Sequence, residues 1–366
     1  MVDDIAKVPM RDHATAAASA KTAGFDDAAI ERLSAHLQAL GMGEHTLRIQ
    51  RLTGGVSNPT FRLAYGKHRM VLRTRPAGHP ERDAQTVARE HRVMAALAIT
   101  VVPVPEMVHY CDDVSIIGTP FFLMDHVDGR VFTDPSLPGL APAARTALYR
   151  EVARVLAALH DVDPDALGLS DFGQRDNYFG VQIAQWTQHY RANQRAPIPA
   201  MESLIRWLPG NVPDDGRTRI IHGDYCIENL IFHPTEARVL AIVDWECSTL
   251  GHPYADLAHH ALAWHLGAPG EPGVAGRDLD ALGIPTEDAF VNAYLTYRQA
   301  DPIVHWDAYL AYSFFRKAAM LQAAAGAVGP PEMARATSTV ASLAERGWRH
   351  AQAFDRTPLF RTGLGR

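Results

Sequence analysis

Cysteines and long apolar runs are scarce in this sequence. Only three cysteines, Cys111, Cys226 and Cys247, occur among 366 residues, and no two of them form a CxxC pair. Sparse, widely spaced cysteines and the lack of a signal-peptide pattern favour a reducing, cytoplasmic setting. No apolar run approaches the roughly 18 residues that cross a bilayer. We therefore expect no membrane-spanning segment and no membrane partner.

An excess of positive charge is also missing. The formal net charge is -6 with histidine neutral, and a chain without a basic field is a poor candidate for nucleic-acid binding. Lysine is rare, since only four of the 35 basic residues are lysines. Any phosphate-binding site in this chain therefore has to be searched for arginine as well as lysine.

What is present is the composition of an ordinary globular protein. Apolar residues make up 47% and charged residues 21% of the chain, which excludes disordered and collagen-like classes. The length suffices for one large domain or two lobes, and a chain of this size buries roughly 75% of its unfolded surface.

The pattern of apolar residues predicts two lobes of different class. Residues 1–25 resemble a frayed tail. An amphipathic helix over 26–40 precedes a three-strand meander over 47–52, 60–65 and 70–74, a helix over 81–98, and extended segments near 101–105, 107–111 and 120–124. From residue 141 helical patterns dominate, interrupted by short strands at 219–221, 230–232 and 239–243. We expect an N-terminal lobe over 26–127 and a C-terminal lobe over 128–366.

Three polar side chains at strand ends carry the clearest chemistry. Asp224 follows one predicted strand, Asn229 comes five residues later, and Asp244 follows the next hairpin. Phosphoryl transfer needs a group that orients and deprotonates the attacking hydroxyl, and hard oxygen ligands that hold Mg²⁺. Asp224 suits the first task, and Asn229 and Asp244 suit the second. Each residue alone could simply cap a turn, but their joint spacing favours the functional interpretation.

The segments around these residues resemble the aminoglycoside phosphotransferase and choline kinase family. More narrowly, they resemble the kinase-like domain of acyl-CoA dehydrogenase family members ten and eleven and its bacterial relatives. The matching stretches cover 54–61, 71–73, 89–90, 103–105, 124–130, 221–224, 232–235, 244–246, 248–253 and 256–258. The resemblance spans about residues 25 to 325.

This resemblance implies an α+β, protein-kinase-like bilobal fold, with a small β-rich N-lobe carrying one main helix and a larger α-rich C-lobe. It implies that Asp224 is the catalytic base, that Asn229 and Asp244 hold Mg²⁺, and that Asp256 supports the catalytic loop. ATP and Mg²⁺ are the implied cofactors. The spacing argument and the resemblance agree on the first three residues.

The predicted nucleotide-binding residues of the N-terminal lobe depart from the protein-kinase pattern, which places a lysine on the third strand. Here Arg73 stands on that strand, and a guanidinium can hold phosphate oxygens. Glu90 lies in an apolar helix stripe, where a charge needs a partner, so we expect Arg73 and Glu90 to pair. The alternatives are a solvated strand arginine and a glutamate at the edge of the stripe.

Two further segments are candidates for nucleotide contacts. Backbone amides near Gly54, Gly55 and Ser57 could approach phosphate, although two adjacent glycines are also an ordinary hairpin turn. The segment Met124, Asp125, His126 and Val127 matches the inter-lobe hinge of the family, where backbone groups would meet adenine.

Three motifs are set aside. The Asp171–Phe172–Gly173 tripeptide spells a kinase metal motif, but it precedes Asp224 and is interpreted as a loop. The histidines at 252, 259, 260 and 265 with Asp256 lack a zinc-binding signature. Cys226 has no neighbouring nucleophilic arrangement in the sequence.

Three functions remain open, of which the first is an ATP- and Mg²⁺-dependent small-molecule kinase acting on an alcohol. Resemblance alone implies a hydroxyacyl-CoA as the acceptor. The second is an aminoglycoside O-phosphotransferase, whose polycationic substrate calls for an acidic acceptor site. By contrast, a set of side chains on the C-lobe helices is largely aromatic or basic, namely Tyr178, Gln182, Trp186, Tyr190 and residues 312–317. The third is a non-catalytic nucleotide-binding pseudokinase, which would not need Asp224, Asn229 and Asp244 together. Residues 226–228 depart from the relatives and put acceptor specificity in question.

Overall fold

The computed structural model describes residues 24–52, 58–75, 80–194, 196–268, 271–325 and 330–356. Two compact units divide the chain. The first unit comprises residues up to 99 together with 104–128, and the second comprises residues 100–103 and all residues from 129 onward. The predicted tail lies outside the described residues except for its last two positions, where Phe25 packs its ring 4.8 Å from that of Phe61.

The first unit is built on a five-stranded antiparallel sheet with the strand order β1-β2-β3-β5-β4. Its elements are α1 (Asp27–Leu37), β1 (Leu47–Arg51), β2 (Thr60–Tyr65), β3 (His68–Arg73), α2 (Pro80–Leu97), β4 (Met107–Cys111), α3 (Val114–Ile117) and β5 (Phe121–Asp125).

Alternation along the strands places an apolar cluster on one face of this sheet. Side chains of a strand point to opposite faces in turn, so Phe61 and Leu63 share a face, as do Phe121 and Leu123. Helix α1 covers that face with its own buried stripe, which includes Leu33. The opposite face receives the longer helix α2, whose Val87 and Leu97 are fully buried.

Helix α1 begins and ends through local backbone chemistry. The Asp26 carboxylate accepts a hydrogen bond from the Ala29 amide at 2.6 Å and caps the first turn. The α-helix ends at Leu37, three residues earlier than the periodicity predicts, and continues as a π-turn over Gln38–Met42. Gly41 adopts φ +82° in that turn, a conformation that glycine accepts without a steric cost.

The second unit is mostly helical and contains two small antiparallel strand pairs, β6 with β9 and β7 with β8. Its elements are α4 (Pro142–Asp161), α5 (Tyr178–Asn193), α6 (Pro199–Trp207), β6 (Arg219–Ile221), β7 (Leu230–Phe232), β8 (Val239–Ile242), β9 (Thr249–Gly251), α7 (Pro253–His265), α8 (Leu279–Leu282), α9 (Glu287–Tyr297), α10 (Trp306–Ala325) and α11 (Pro330–Arg356).

Helix α7 is the most buried helix end to end. Nearly every side chain from Pro253 to Trp264 is buried, including polar Asp256, His259 and His260. A helix that is buried all round lies inside its unit rather than on its surface. Buried polar groups on such a helix need hydrogen-bond partners, and the loop over residues 222–224 provides them for Asp256 and His259.

The predicted α+β organisation is confirmed, with a sheet-based first unit carrying one long helix and a mostly helical second unit. The predicted strands appear within two residues of their expected bounds, but the extended segment expected near 101–105 does not form a strand. The short helix α3 and the three-residue strand β9 were not predicted. Residues 100–103 pack with the second unit, where the Pro103 carbonyl accepts from the Ile242 amide at 2.8 Å.

Across the residues that the structure describes, no helix is both long and apolar enough to cross a membrane.

The buried cluster predicts where the first unit is most sensitive to substitution. Leu123 is fully buried, whereas Val114 keeps 54% of its surface exposed. We expect Leu123→Ala to lower the free energy of unfolding by about 2–5 kcal/mol, because it removes buried methyl groups and leaves a cavity. Val114→Ala, the matched control, should change it by less than about 0.5 kcal/mol. Urea midpoints measure both variants, and equal midpoints would contradict this packing.

Candidate active site

A sharp loop follows β6 and carries the predicted catalytic aspartate. Gly223 in this loop adopts φ +81°, and a Cβ there would lie 2.3 Å from the Cys247 carbonyl oxygen. Only glycine fits both the left-handed conformation and the close approach. The loop therefore passes directly beneath the segment that follows β8.

The carboxylate of Asp256, in the first turn of α7, holds this loop from below. Its two oxygens accept from the backbone amides of Gly223 at 2.8 Å and His222 at 2.6 Å. One oxygen also lies 3.3 Å from Nε2 of His160. Burial alone would raise the pKa of Asp256, but these hydrogen bonds outweigh it and hold the pKa below its usual range. The predicted support of the loop by Asp256 is confirmed.

The Asp224 side chain is fixed by two donors, one for each oxygen. Nε2 of His259 donates to one carboxylate oxygen at 2.9 Å, and Nδ2 of Asn229 donates to the other at 3.1 Å. Burial would raise the pKa of Asp224, yet the bond from His259 and nearby positive charge, including Arg316, hold it well below its usual range. Burial lowers the pKa of His259, so a neutral imidazole faces an ionised carboxylate.

Asp224 nevertheless stays accessible, since a third of its side chain is exposed. An ionised, oriented and accessible carboxylate can accept a hydrogen bond from an incoming hydroxyl group.

His222 and Val243 tie the catalytic loop to the end of β8. Nδ1 of His222 accepts from the Asp224 amide at 3.2 Å, so Nε2 carries the proton and donates to the Val243 carbonyl at 2.9 Å. The Val243 amide in turn donates to the Asn229 carbonyl at 2.9 Å. These bonds bring Asn229 beside the chain that leads into Asp244.

Asn229 and Asp244 therefore lie at the same end of the β7–β8 pair. Asn229 uses its amide NH₂ group on the Asp224 carboxylate and on the Asp224 backbone carbonyl at 2.8 Å, which leaves Oδ1 as its remaining polar atom. Asp244 adopts the left-handed conformation at φ +69°, which aspartate tolerates better than most residues. An amide oxygen and a carboxylate are hard ligands that fit Mg²⁺.

Basic and aromatic side chains of α5 and α10 lie close to this loop. The Arg316 guanidinium is buried and stacks 5.5 Å from the centre of the Trp186 ring. Lys317 interacts electrostatically with Glu228, whose pKa burial raises. The second unit therefore presents positive charge beside Asp224, in addition to the acidic side chain of Glu228.

The first unit contains the predicted Arg73–Glu90 pair. Nε of Arg73 lies 2.6 Å from a Glu90 carboxylate oxygen, and both side chains are at least nine-tenths buried. The other Glu90 oxygen accepts from Nδ2 of Asn58 at 3.0 Å, and Arg73 also donates to the Thr60 hydroxyl at 3.3 Å. The pairing is confirmed, and its part in nucleotide binding stays a prediction.

The predicted hinge residues continue β5 to the end of the first unit. Met124 is buried in the sheet, Asp125 donates its amide to the Glu106 carbonyl at 2.9 Å, and His126 donates its amide to the Arg69 carbonyl at 3.0 Å. Val127 follows and is half-buried. The predicted phosphate-binding residues Gly54, Gly55 and Ser57 lie outside the described residues.

The sequence interpretation missed His259 as a functional residue, because it grouped this side chain with three other histidines. The four take separate partners: His252 lies 3.2 Å from Asp215, His259 bonds Asp224, His260 stacks on Phe290, and His265 lies 2.8 Å from Glu287. Asp256 and His259 are three residues apart on one helix, and this spacing could have identified both as neighbours of the loop.

The structure also shows where the 171–173 tripeptide and Cys226, the other motifs set aside, are located. The 171–173 tripeptide forms a turn ahead of α5, as expected for a loop. Burial raises the pKa of Cys226 well above its usual range, so its thiol stays protonated and unreactive.

We expect Asp256→Asn to destabilise the loop. The substitution replaces one acceptor oxygen by an NH₂ group that faces a backbone N–H, so a buried donor loses its partner. The expected loss in unfolding free energy is about 2–4 kcal/mol. The control Asp165→Asn breaks an exposed pair with Arg175 and should cost less than about 1 kcal/mol. Equal thermal midpoints for the two variants would contradict this assignment.

Buried histidines of the second unit predict a loss of stability in mild acid. Burial lowers the pKa of His252 to about 4 and that of His260 to about 3, while an unfolded histidine has a pKa near 6.5. Below about pH 6.5 the unfolded chain binds protons that the folded chain rejects, so stability falls with falling pH by about 1.4 kcal/mol per pH unit for each such group.

The variant His260→Phe isolates one of these groups. It keeps the ring that stacks on Phe290 at 4.7 Å and removes the titrating nitrogens. Urea denaturation between pH 6.5 and pH 5 lies inside the window from the unfolded pKa of about 6.5 to the folded pKa of about 3. It should show a shallower pH dependence for the variant than for the unsubstituted chain. If the unfolding free energies of the variant and the unsubstituted chain depended equally on pH, burial would not lower the pKa of His260, and the prediction would be wrong.

Curated relatives match most of this chain. It is 43% identical over 307 residues to acyl-CoA dehydrogenase family member 10 of Mus musculus, covering 82% of this chain and 28% of that protein. It is 39% identical over 302 residues to acyl-CoA dehydrogenase family member 11 of Homo sapiens, covering 81% of this chain and 39% of that protein. The chain thus spans well under half the length of these relatives.

Solved structures share the fold. A Ralstonia eutropha protein provisionally described as an aminoglycoside phosphotransferase has a TM-score of 0.81 and 42% identity, covering 90% of this chain and 99% of that one. The aminoglycoside phosphotransferase APH(4)-Ia has a TM-score of 0.59 at 15% identity, covering 87% and 98%, and it supports the fold alone. The predicted protein-kinase-like fold class is confirmed.

A family match covers both units. Residues 48–295, more than half of the chain, match the family described as phosphotransferase enzyme family. The matched region contains Arg73, Glu90, Asp224, Asn229 and Asp244. From this match and the similarity to the Ralstonia eutropha structure, the chain belongs to the phosphotransferase enzyme family.

Proposed function

We propose that this phosphotransferase is an ATP- and Mg²⁺-dependent kinase that phosphorylates the hydroxyl group of a small-molecule acceptor, a hydroxyacyl-CoA. The observation that supports this most strongly is the Asp224 carboxylate, ionised and held by His259 and Asn229 while a third of its surface stays exposed.

Asp224 is the residue that would handle the acceptor proton. The acceptor hydroxyl would hydrogen-bond to the carboxylate, which aligns its oxygen for attack on the γ-phosphorus of ATP. The new O–P bond forms as the bond between the γ-phosphorus and the β–γ bridging oxygen breaks, ADP leaves, and Asp224 takes the hydroxyl proton. A carboxylate with a low pKa works mainly by orientation, which suits a loose transition state.

Asn229 and Asp244 would hold Mg²⁺ through Oδ1 and the carboxylate. When bound, the ion would neutralise charge on the nucleotide phosphates. The hydrogen bonds between Val243 and the residues Asn229 and His222 keep these two side chains in register with Asp224.

Arg73 would bind phosphate oxygens in place of the lysine that protein kinases use. Its partner Glu90 is itself fixed by Asn58, so the guanidinium is held in place before nucleotide arrives. Met124, Asp125, His126 and Val127 would supply backbone contacts to adenine, and Gly54, Gly55 and Ser57 would contact the phosphates. A related structure, that of APH(2'')-Ib, has ADP bound.

The charges beside Asp224 favour an anionic acceptor. Arg316 and Lys317 both influence the loop electrostatically, and a coenzyme A ester brings phosphate groups that such cations attract. A polycationic aminoglycoside would be repelled by the same two side chains. The names of the curated relatives also refer to acyl-CoA.

An aminoglycoside phosphotransferase is the second candidate, because the Ralstonia eutropha structure carries that provisional description. A nucleotide-binding pseudokinase is the third, although the ordered contacts between Asp224 and Asn229 serve no purpose in a protein that only binds.

The experiment is phosphoryl transfer from ATP with Mg²⁺ to a panel of hydroxyacyl-CoAs, kanamycin and choline, with products identified by mass. We expect transfer to the hydroxyacyl-CoA, a loss of at least about 1000-fold in kcat for Asp224→Asn, and a raised KM for the acceptor but not for ATP in Lys317→Ala. Asp171→Asn, which changes the motif set aside, is the matched control and should keep full activity.

Each alternative outcome has a distinct meaning. Transfer to kanamycin alone would keep the chemistry and overturn the acceptor. ATP binding without transfer to any compound in the panel would favour the pseudokinase. Unchanged activity in Asp224→Asn would overturn the assignment of the base.

A further inference from the structure

Two histidines and a cysteine meet in the first unit, away from every residue assigned above. His36 lies in the last turn of α1, and His109 and Cys111 lie two residues apart on β4. The Nε2 atoms of the two imidazoles are 3.1 Å apart. One ligand atom from each of the three residues can be chosen so that all lie within 4.8 Å of one another.

This cluster lies on the α1 face of the sheet. Residues two apart on a strand share a face, and Cys111 belongs to the buried apolar cluster that α1 covers. Tyr110 points to the other face, where its ring lies 5.2 Å from that of His91 on α2. The Arg73–Glu90 pair is on the α2 side as well, so the cluster is separated by the sheet from the proposed nucleotide contacts.

The backbone places the two imidazoles without help from an ion. Helix α1 is fixed by its buried stripe of Leu33 and Leu37, and the pairing of β4 with β5 shifts register between Met107 and His109. Such bulges often re-aim a side chain at a functional position. The three side chains are therefore brought together by elements that the apolar core already holds.

The distance between the two nitrogens suits a tetrahedral metal ion. Two nitrogens that each lie about 2.0–2.1 Å from zinc at a tetrahedral angle are about 3.3–3.4 Å apart, close to the 3.1 Å observed. A buried thiol beside two imidazoles adds the soft ligand that zinc favours. A plain hydrogen bond between the two histidines would explain the nitrogen contact, but it gives no reason for the thiol beside them.

We propose that His36, His109 and Cys111 form a zinc-binding site with a water molecule as the fourth ligand. The two histidines are half-buried, which leaves room for that water. The ion would link α1 to β4, the edge strand of the sheet, and so stabilise the first unit. This site does not depend on the proposed kinase activity.

The test is metal binding by the purified full chain after dialysis against a chelator. Zinc is titrated in competition with a chromophoric chelator, and cobalt is substituted as a spectroscopic probe. We expect one saturable zinc ion per chain, a thiolate-to-cobalt charge-transfer band, and a thermal midpoint that rises with zinc. Cys111→Ser should abolish the band and weaken zinc binding at least about tenfold.

Two further variants keep the test decisive. His36→Gln changes a half-buried residue at the end of α1 and should also weaken zinc binding. This variant carries the test if circular dichroism shows that Cys111→Ser does not fold. His91→Gln, a histidine on the opposite sheet face, is the matched control and should bind zinc normally. Absence of saturable binding, binding unchanged in folded Cys111→Ser and His36→Gln, or selective binding of cuprous ion instead would each overturn the zinc site.

Discussion

A buried carboxylate in the second unit determines the shape of the loop that carries Asp224. Asp256 turns the amides of His222 and Gly223 toward α7, and this contact sets the direction in which Asp224 leaves the loop. One turn later on the same helix, His259 meets Asp224 itself. A single buried helix thus supplies both the support of the loop and the donor that orients its reactive carboxylate. The arrangement is tolerable in a low-dielectric interior because each charged group has hydrogen-bonding partners.

Each unit contains a charged side chain that is fixed by neighbouring polar side chains, and the residues differ between the two units. In the first, a buried arginine is fixed by Glu90, which Asn58 holds in turn. In the second, the partly exposed aspartate Asp224 is fixed by His259 and Asn229. Both arrangements restrain a charged side chain through hydrogen-bonding partners within its own unit, so the proposed binding of phosphate would require little reorganisation of either side chain.

The local pattern of apolar and polar residues was sufficient to predict most of the helices and strands. Alternating apolar residues predict β2, in which every second side chain is buried, and a short apolar run predicts β5, which is buried on both faces. Residue types with their spacing single out Asp224, Asn229 and Asp244, whose roles stay predictions. Strand β9 escapes prediction because three residues carry little periodicity and its partner β6 is about thirty residues earlier in the chain. The contact between His259 and Asp224 and the meeting of His36 with His109 are also non-local. The spacing of Asp256 and His259 on one helix points to the first contact, whereas no spacing along the chain indicates the second. The π-turn after Leu37 shows that a favourable apolar period does not fix where a helix ends.

The most direct test of this account is the structure of the full chain with Mg²⁺ and a non-hydrolysable ATP analogue. The account predicts a metal ion about 2.1 Å from Oδ1 of Asn229 and from the Asp244 carboxylate, with the γ-phosphate facing Asp224. A nucleotide whose phosphates contact none of these side chains, or whose metal ion is held by other residues, would contradict it.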